Sequence, residues 1–173
     1  MNETMKSILE RRSVRKFTDA PVAEEVLKDV VNAGMHAPSG MCKKTWQFTV
    51  VSNRAIIQKL AAAIGETLGR AEYNMYAPTA LIIPSNKRDN PHGKEDNACA
   101  LQNIFLAAQS YGVGSVWINQ LQGICDEEKI RPILQELGIP DDHIVYGMAA
   151  LGYADPAMPS PAYREIGEVK FVR

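Results

Sequence analysis

The 173-residue chain is 46% hydrophobic and 23% charged, and its 19 Lys plus Arg against 20 Asp plus Glu leave a formal net charge of −1. That balance excludes a disordered or fibrous protein and provides no global basic field for nucleic acid. The length fits one domain, 1–173, able to bury its own core, with residues 154–173 as a C-terminal tail.

The spacing predicts a short helix over 3–11 with Met5, Ile8 and Leu9 on one face, then an extended exit, "SVRKF", closed by Pro21. A second helix is expected over about 22–36, ended by "HAPSG", where the residue before Pro38 disfavours helix. "WQFTVV" at 46–51 reads as a strand, and Asn53 as the cap of a helix from 54 to about 68. "TALIIP" lacks alternation and suits a strand buried on both faces, while "SNKRDNPHG" after it is expected to be a surface loop.

Residues 94–111 form an expected long helix, apolar around most of its circumference and therefore central. "GSVWI" follows as a buried strand; Asp126 is expected to cap a helix "EEKIRPILQEL"; and "HIVYGMAALGY" is expected to be one long strand. The Pro-rich tail closes on strand-like "EVKFVR" and either wraps its own domain or reaches a partner. The elements interleave without strict βαβ order, which gives an α+β class, and the glycines of "GVGSVW" precede a strand, so no dinucleotide fingerprint is present.

No run approaches ~18 uninterrupted apolar residues, and the N-terminus lacks the apolar core of a secretory signal. The expected location is the cytoplasm, with no membrane or nucleic-acid partner. Cys42, Cys99 and Cys125 are odd in number and far apart, which suits neither a disulfide framework nor a metal site; they are read as unpaired thiols, and no metal is expected.

Three segments carry possible chemistry. "ERRSVRKF" sets Arg11, Arg12, Ser13 and Arg15 within five residues. Planar guanidinium forks plus a hydroxyl are the groups that hold a terminal phosphate, although cations at a helix end are also favoured by the helix dipole alone. "HAPSGMCKKTWQF" offers a turn whose glycine allows a flat ligand to approach the backbone, or else an ordinary loop. "GVGSVWINQ" runs a buried strand into a polar turn that presents backbone N–H groups, or is plain sheet core.

In this order and spacing, "RRSVRKF", "APSGMCKKTWQF", "ACALQNIFLAAQSYGVGSVWI" and "LGYADPAMPSPAYREIGEV" resemble the nitroreductase family over nearly the whole chain. The resemblance implies a central, mostly antiparallel sheet flanked by helices, and FMN bound at the interface of a homodimer. Arg11, Ser13 and Arg164 would hold the phosphate with Arg12 beside them, and Arg15 would stabilise negative charge on the reduced ring. Pro38, Ser39 and Gly40 would reach the cofactor from the second subunit. Ile118, Asn119 and Gln120 would approach the reactive nitrogen, and Asn74 the ring edge. Cys42, Lys44 and Thr45 depart from the family's usual Asn, Gln and Pro. NADH or NADPH would be the co-substrate and a nitroaromatic or quinone the acceptor. A flavin reductase, a dehalogenase or a non-catalytic flavin-binding protein are the alternatives on the same fold. No side chain need act as nucleophile, so His36, His92 and His143 receive no catalytic role.

Overall fold

The computed structural model describes residues 1–158 and 167–173. A sheet with strand order β1-β2-β5-β3 is built from β1 (Trp46–Val51), β2 (Ala80–Lys87), β3 (Gly114–Ile118) and β5 (Met148–Gly152), with the two-residue β4 (His143–Ile144) on the far end of β2. Every strand pairing is antiparallel. Helices α1 (Glu3–Glu10), α2 (Glu24–Met35), α3 (Arg54–Thr67), α4 (Gly93–Ser110) and α5 (Arg131–Glu136) flank it.

Strand alternation decides which helices cover which face. Leu81 and Ile83 of β2 point into a cluster with Ile57, Leu60 and Ile64 of α3 and Ile133 and Leu134 of α5. Ala80 and Ile82 point the other way, against Leu27 and Val30 of α2 and Leu101, Ile104 and Phe105 of α4. β2 is thus buried on both faces, and α4 is central, as its sequence implies. Asn53 caps α3 by accepting from the N–H groups of Ala55 and Ile56 at 3.0 and 3.3 Å. The expected apolar face of α1 is present but has little cover among the described residues: Met5, Ile8 and Leu9 are 43, 41 and 57% exposed.

Four expectations are corrected. The first is the polar run after "TALIIP", which is not all loop: β2 continues through Ser85 and Asn86, both buried, because β1 pairs along its whole length to Trp46↔Asn86. Ser85 Oγ pairs with His143 Nδ1 at 2.9 Å and Asn86 Oδ1 accepts the Thr45 hydroxyl at 2.7 Å, while Asn86 Nδ2 has no partner among the described residues.

Second, "HIVYGMAALGY" is two strands. Between Ile82↔Ala149 and Asn86↔Ile144, residues 83–85 of β2 face the longer stretch 145–148, so the ladder carries a bulge. Pro84 lies in that break, where its missing N–H costs no ladder bond. Gly147 lies there too, beneath the Trp117 indole; a Cβ on it would come 2.6 Å from Nε1.

Third, the helix expected over 127–137 shrinks to α5. Pro132 has no N–H to continue a helix from upstream, so it can stand only in the first turn. Asp126 does not cap; its carboxylate accepts the Arg88 fork at 2.8 and 2.6 Å and Arg131 Nη2 at 2.7 Å. The Arg88 bonds chiefly hold its carboxyl down at about 2, against an ordinary 3.8. A depressed carboxyl contributes stability that is present above its ordinary value and is lost as pH falls through the folded one. The group is 62% exposed, so Asp126→Asn should cost less than about 1 kcal/mol at neutral pH. Denaturant melts should show that this difference between parent and variant closes on acidification from 3.8 towards about 2.

Fourth, residues 167–173 adopt no strand, and Val169, Phe171 and Val172 are 78, 82 and 86% exposed. A β-rich segment needs a partner edge, and none meets it within the described residues. No helix among the described residues is long and apolar enough to cross a membrane.

Candidate functional site

The basic cluster leaves α1 at Arg11, whose backbone N–H still donates to Ser7 O at 3.0 Å. The chain then attaches to the outer edge of β3. Ser13 bridges Ser115, and the Val14 N–H donates to Ser115 O at 2.9 Å. Glycines make this close approach possible: a Cβ on Gly114 would come 2.7 Å from Val14 Cγ2, and one on Gly152 would come 2.9 Å from the Phe17 ring. With the backbone held in this way, Arg11, Arg12 and Ser13 are half-buried and Arg15 is exposed. Among the described residues none of the three guanidiniums pairs with a carboxylate, whereas Arg54, Arg88 and Arg131 all do. A half-buried cation without a counter-ion is costly unless an anion arrives.

β3 carries the second segment at its other end, about 13 Å from Ser115 by strand rise. Ile118 is buried in the core, so only its backbone can face a ligand. Asn119 accepts from Trp117 Nε1 at 3.3 Å, and its N–H donates to Gln120 Oε1 at 3.1 Å. That last bond is local and exposed, and a ligand acceptor could replace it. β3 thus has the basic segment bridged to one end and a polar turn at the other, a spacing suited to an elongated anion.

Asn74 sits on the loop above α3, where Glu72, Met75, Tyr76 and Ala77 all have positive φ. Its Oδ1 accepts from the Tyr76 N–H at 3.0 Å, and it lines a cleft of about 340 Å³ with Arg54, Gln58, Tyr73 and Pro78. Burial pushes the Tyr73 phenol up to about 12.

Pro38, Ser39 and Gly40 do not join the basic cluster within one chain. Ser39 Oγ donates to Asp96 Oδ2 at 3.2 Å and the Gly40 N–H to Asp96 Oδ1 at 2.6 Å, which ties the loop to the first turn of α4. Ser13 is instead bridged to Ser115, which follows the opposite end of that helix, and α4 from Asp96 to Ser110 is roughly 20 Å long. Gly40 is needed for close approach, as its sequence suggested, but what approaches is His92, whose Cβ, Cγ and Cδ2 would all lie 2.5 Å from an added Cβ.

A model of the nitroreductase family matches residues 8–76 and 69–153. The chain belongs to the nitroreductase family. A nitroreductase with bound FMN from Bacteroides fragilis superposes with a TM-score of 0.91 at 34% identity, covering 100% of each chain. An Archaeoglobus fulgidus protein provisionally named NADH dehydrogenase/NAD(P)H nitroreductase is 32% identical over 155 residues, 88% of this chain and 86% of its own. The NADPH-flavin oxidoreductase of Vibrio harveyi is 29% identical over 166 residues, 90% of this chain and 67% of its own.

Within this nitroreductase-family chain, Arg164 lies outside the described residues. The three cysteines are unpaired: Cys42 exposed, Cys99 half-buried and Cys125 buried, where burial raises its thiol above the ordinary value. Sequence reasoning missed Asp96, Asn90 and His92, which shape the Ser39–Gly40 loop. The available signal was a charged residue on a helix otherwise apolar on most sides; it reads equally well as ordinary acidic decoration of a helix start.

Proposed function

We propose that the protein is an FMN-dependent oxidoreductase that draws reducing equivalents from NADH or NADPH and delivers them to an electron-poor acceptor of the nitroaromatic or quinone class. The observation that carries this reading is the set Arg11, Arg12 and Ser13, without a carboxylate partner among the described residues, at one end of β3, whose other end is the Ile118–Gln120 turn. The residues fit the group: two guanidinium forks and a hydroxyl suit a phosphate dianion. FMN, when bound, supplies the two-electron chemistry that links nicotinamide and acceptor.

Arg11 and Ser13 would hold the phosphate together with Arg164, and Arg12 would lie beside them. Arg15 would bring a positive charge to the pyrimidine edge, where negative charge gathers on reduction, and Asn74 a polar contact to the same edge. Ile118, Asn119 and Gln120 would present backbone groups to the ring. Pro38, Ser39 and Gly40 would come from a second copy of the chain, because the length of α4 separates them from Arg11 within one copy. The exposed apolar stripe of α1 and the exposed Phe171 and Val172 support that homodimer.

Purified protein should be yellow or take up added FMN, and should oxidise NADH or NADPH steadily while a quinone or nitroaromatic is supplied. One stoichiometric reduction without turnover would instead indicate a flavin-binding module, and refusal of FMN would contradict the reading. The Vibrio harveyi relative motivates free flavin as a second acceptor class; faster turnover with added FMN or FAD than with quinone would favour it.

A further inference from the structure

The Ser39–Gly40 loop is held by a carboxylate that the functional reading does not use. Asp96 is 2% exposed on the first turn of α4. It accepts three hydrogen bonds: from the Gly40 N–H at 2.6 Å, from Ser39 Oγ at 3.2 Å and from Asn90 Nδ2 at 3.1 Å. No lysine, arginine or histidine forms an ion pair with it among the described residues. A carboxylate so placed is tolerated only while donors surround it, since its oxygens can accept but never donate. It therefore selects one loop conformation, the one that aims the Gly40 amide and the Ser39 hydroxyl inward.

Two further features show that this conformation is imposed. Met41, Cys42 and Lys44 all hold left-handed backbone at φ of 55°, 55° and 47°, which non-glycine residues keep only when surrounding bonds over-determine them. Ser39 Oγ accepts the Lys44 N–H at 3.0 Å and so closes the turn on itself. Behind Asp96 the network continues: Asn90 Nδ2 also donates to Thr45 Oγ1 at 3.0 Å, and Thr45 Oγ1 donates to Asn86 Oδ1 at 2.7 Å. Thr45, one of the departures from the family pattern, thus has a defined task that proline could not perform.

We propose that Asp96, supported by Asn90 and Thr45, is a positioning residue for the cofactor site: it fixes the loop that one subunit extends to the flavin held by its partner. This rests on the proposed function. Asp96 touches no ligand itself and acts through Ser39 and Gly40.

Asp96→Asn keeps the shape but turns one oxygen into a donor facing the Asn90 amide. FMN-free dimer of this variant should bind FMN about tenfold more weakly than the parent, the loss expected when a charge-assisted bond is mismatched. At saturating FMN the visible circular-dichroism band of the bound flavin should also change, because the loop meets the ring differently. Asn90→Ala removes one of the three donors and should weaken binding about threefold. The swap Asp96→Asn/Asn90→Asp restores an acceptor opposite a donor and should recover most of the affinity. Ile133→Val, buried on the sheet face opposite α4, should lower the melting temperature without changing the FMN Kd or the flavin band, which separates positioning from general stability.

Asp96→Asn that binds within twofold of the parent with an unchanged flavin band overturns the inference. If that variant does not fold, Asn90→Ala decides in the same way, by weaker binding or by parental binding. A parent that takes up no FMN removes the proposed function and this inference together; a parent and a variant that bind equally remove this inference alone.

Discussion

Replacing Arg11 with alanine should weaken FMN binding by roughly ten- to hundredfold and leave the fold intact. The backbone of Arg11 closes α1 through its N–H to Ser7 O, and the segment is held to β3 by backbone bonds at Ser13 and Val14, none of which uses the guanidinium. Folding stability should therefore change by less than about 0.5 kcal/mol. The guanidinium itself is half-buried and has no carboxylate partner among the described residues. A hydrogen bond to a charged group contributes about 1.5–3 kcal/mol, which converts to that range in Kd. Arg11→Lys should recover only part of the loss, because an ammonium is a point charge and cannot present two parallel donors to a phosphate. Fluorescence titration of FMN-free protein measures both. Binding by Arg11→Ala within twofold of the parent would remove the phosphate assignment.

Gly40→Val should damage affinity and stability at once. The added Cβ would lie 2.5 Å from Cβ, Cγ and Cδ2 of His92. These atoms are the root of the side chain and not a flexible tip, so either the loop backs away from α4 or His92 is driven out. Overpacking of this kind costs about 1–3 kcal/mol. Movement of Ser39 and Gly40 by an ångström should lower FMN affinity at least about tenfold. His92→Gly in the same chain removes all three of these atoms and opens the space, so the double variant should regain much of the melting temperature and of the affinity. If Gly40→Val alone binds FMN as the parent does, the loop does not reach the cofactor.

These two positions also separate what is local in the sequence from what is not. The Arg11–Arg15 cluster and the Ile118–Gln120 turn could be picked out because each is a contiguous motif, and one strand, β3, brings them to a common edge. Likewise β1, α3 with its Asn53 cap, and α4 follow from local periodicity and capping. What escaped depends on partners distant in sequence. The break at 145–147 interrupts a run whose apolar pattern continues unbroken; it exists because β4 and β5 meet β2 in registers that differ by a bulge. Ser85 and Asn86 look like loop residues until His143 and Thr45 supply their partners. Asp126 looks like a helix cap until Arg88, folded back from the end of β2, takes its carboxylate. Asp96 and Gly40 are 56 positions apart, and no local signal joins them. The room that Gly40 provides was read as space for a flat ligand, while the structure gives it to a histidine ring.

The central claim is that each cofactor site takes Arg11 from one subunit and the Ser39–Gly40 loop from the other. It is tested most directly by co-expressing Arg11→Ala chains with Gly40→Val chains and measuring FMN occupancy of the mixed dimers. Each variant alone has two damaged sites per dimer. In a mixed dimer one site collects both lesions and the other collects neither. Random pairing makes about half of the dimers mixed, so bound FMN should return to roughly a quarter of the parent level. FMN occupancy that stays at the level of the separate variants would contradict a shared site and place Arg11 and Gly40 on the same side of the interface.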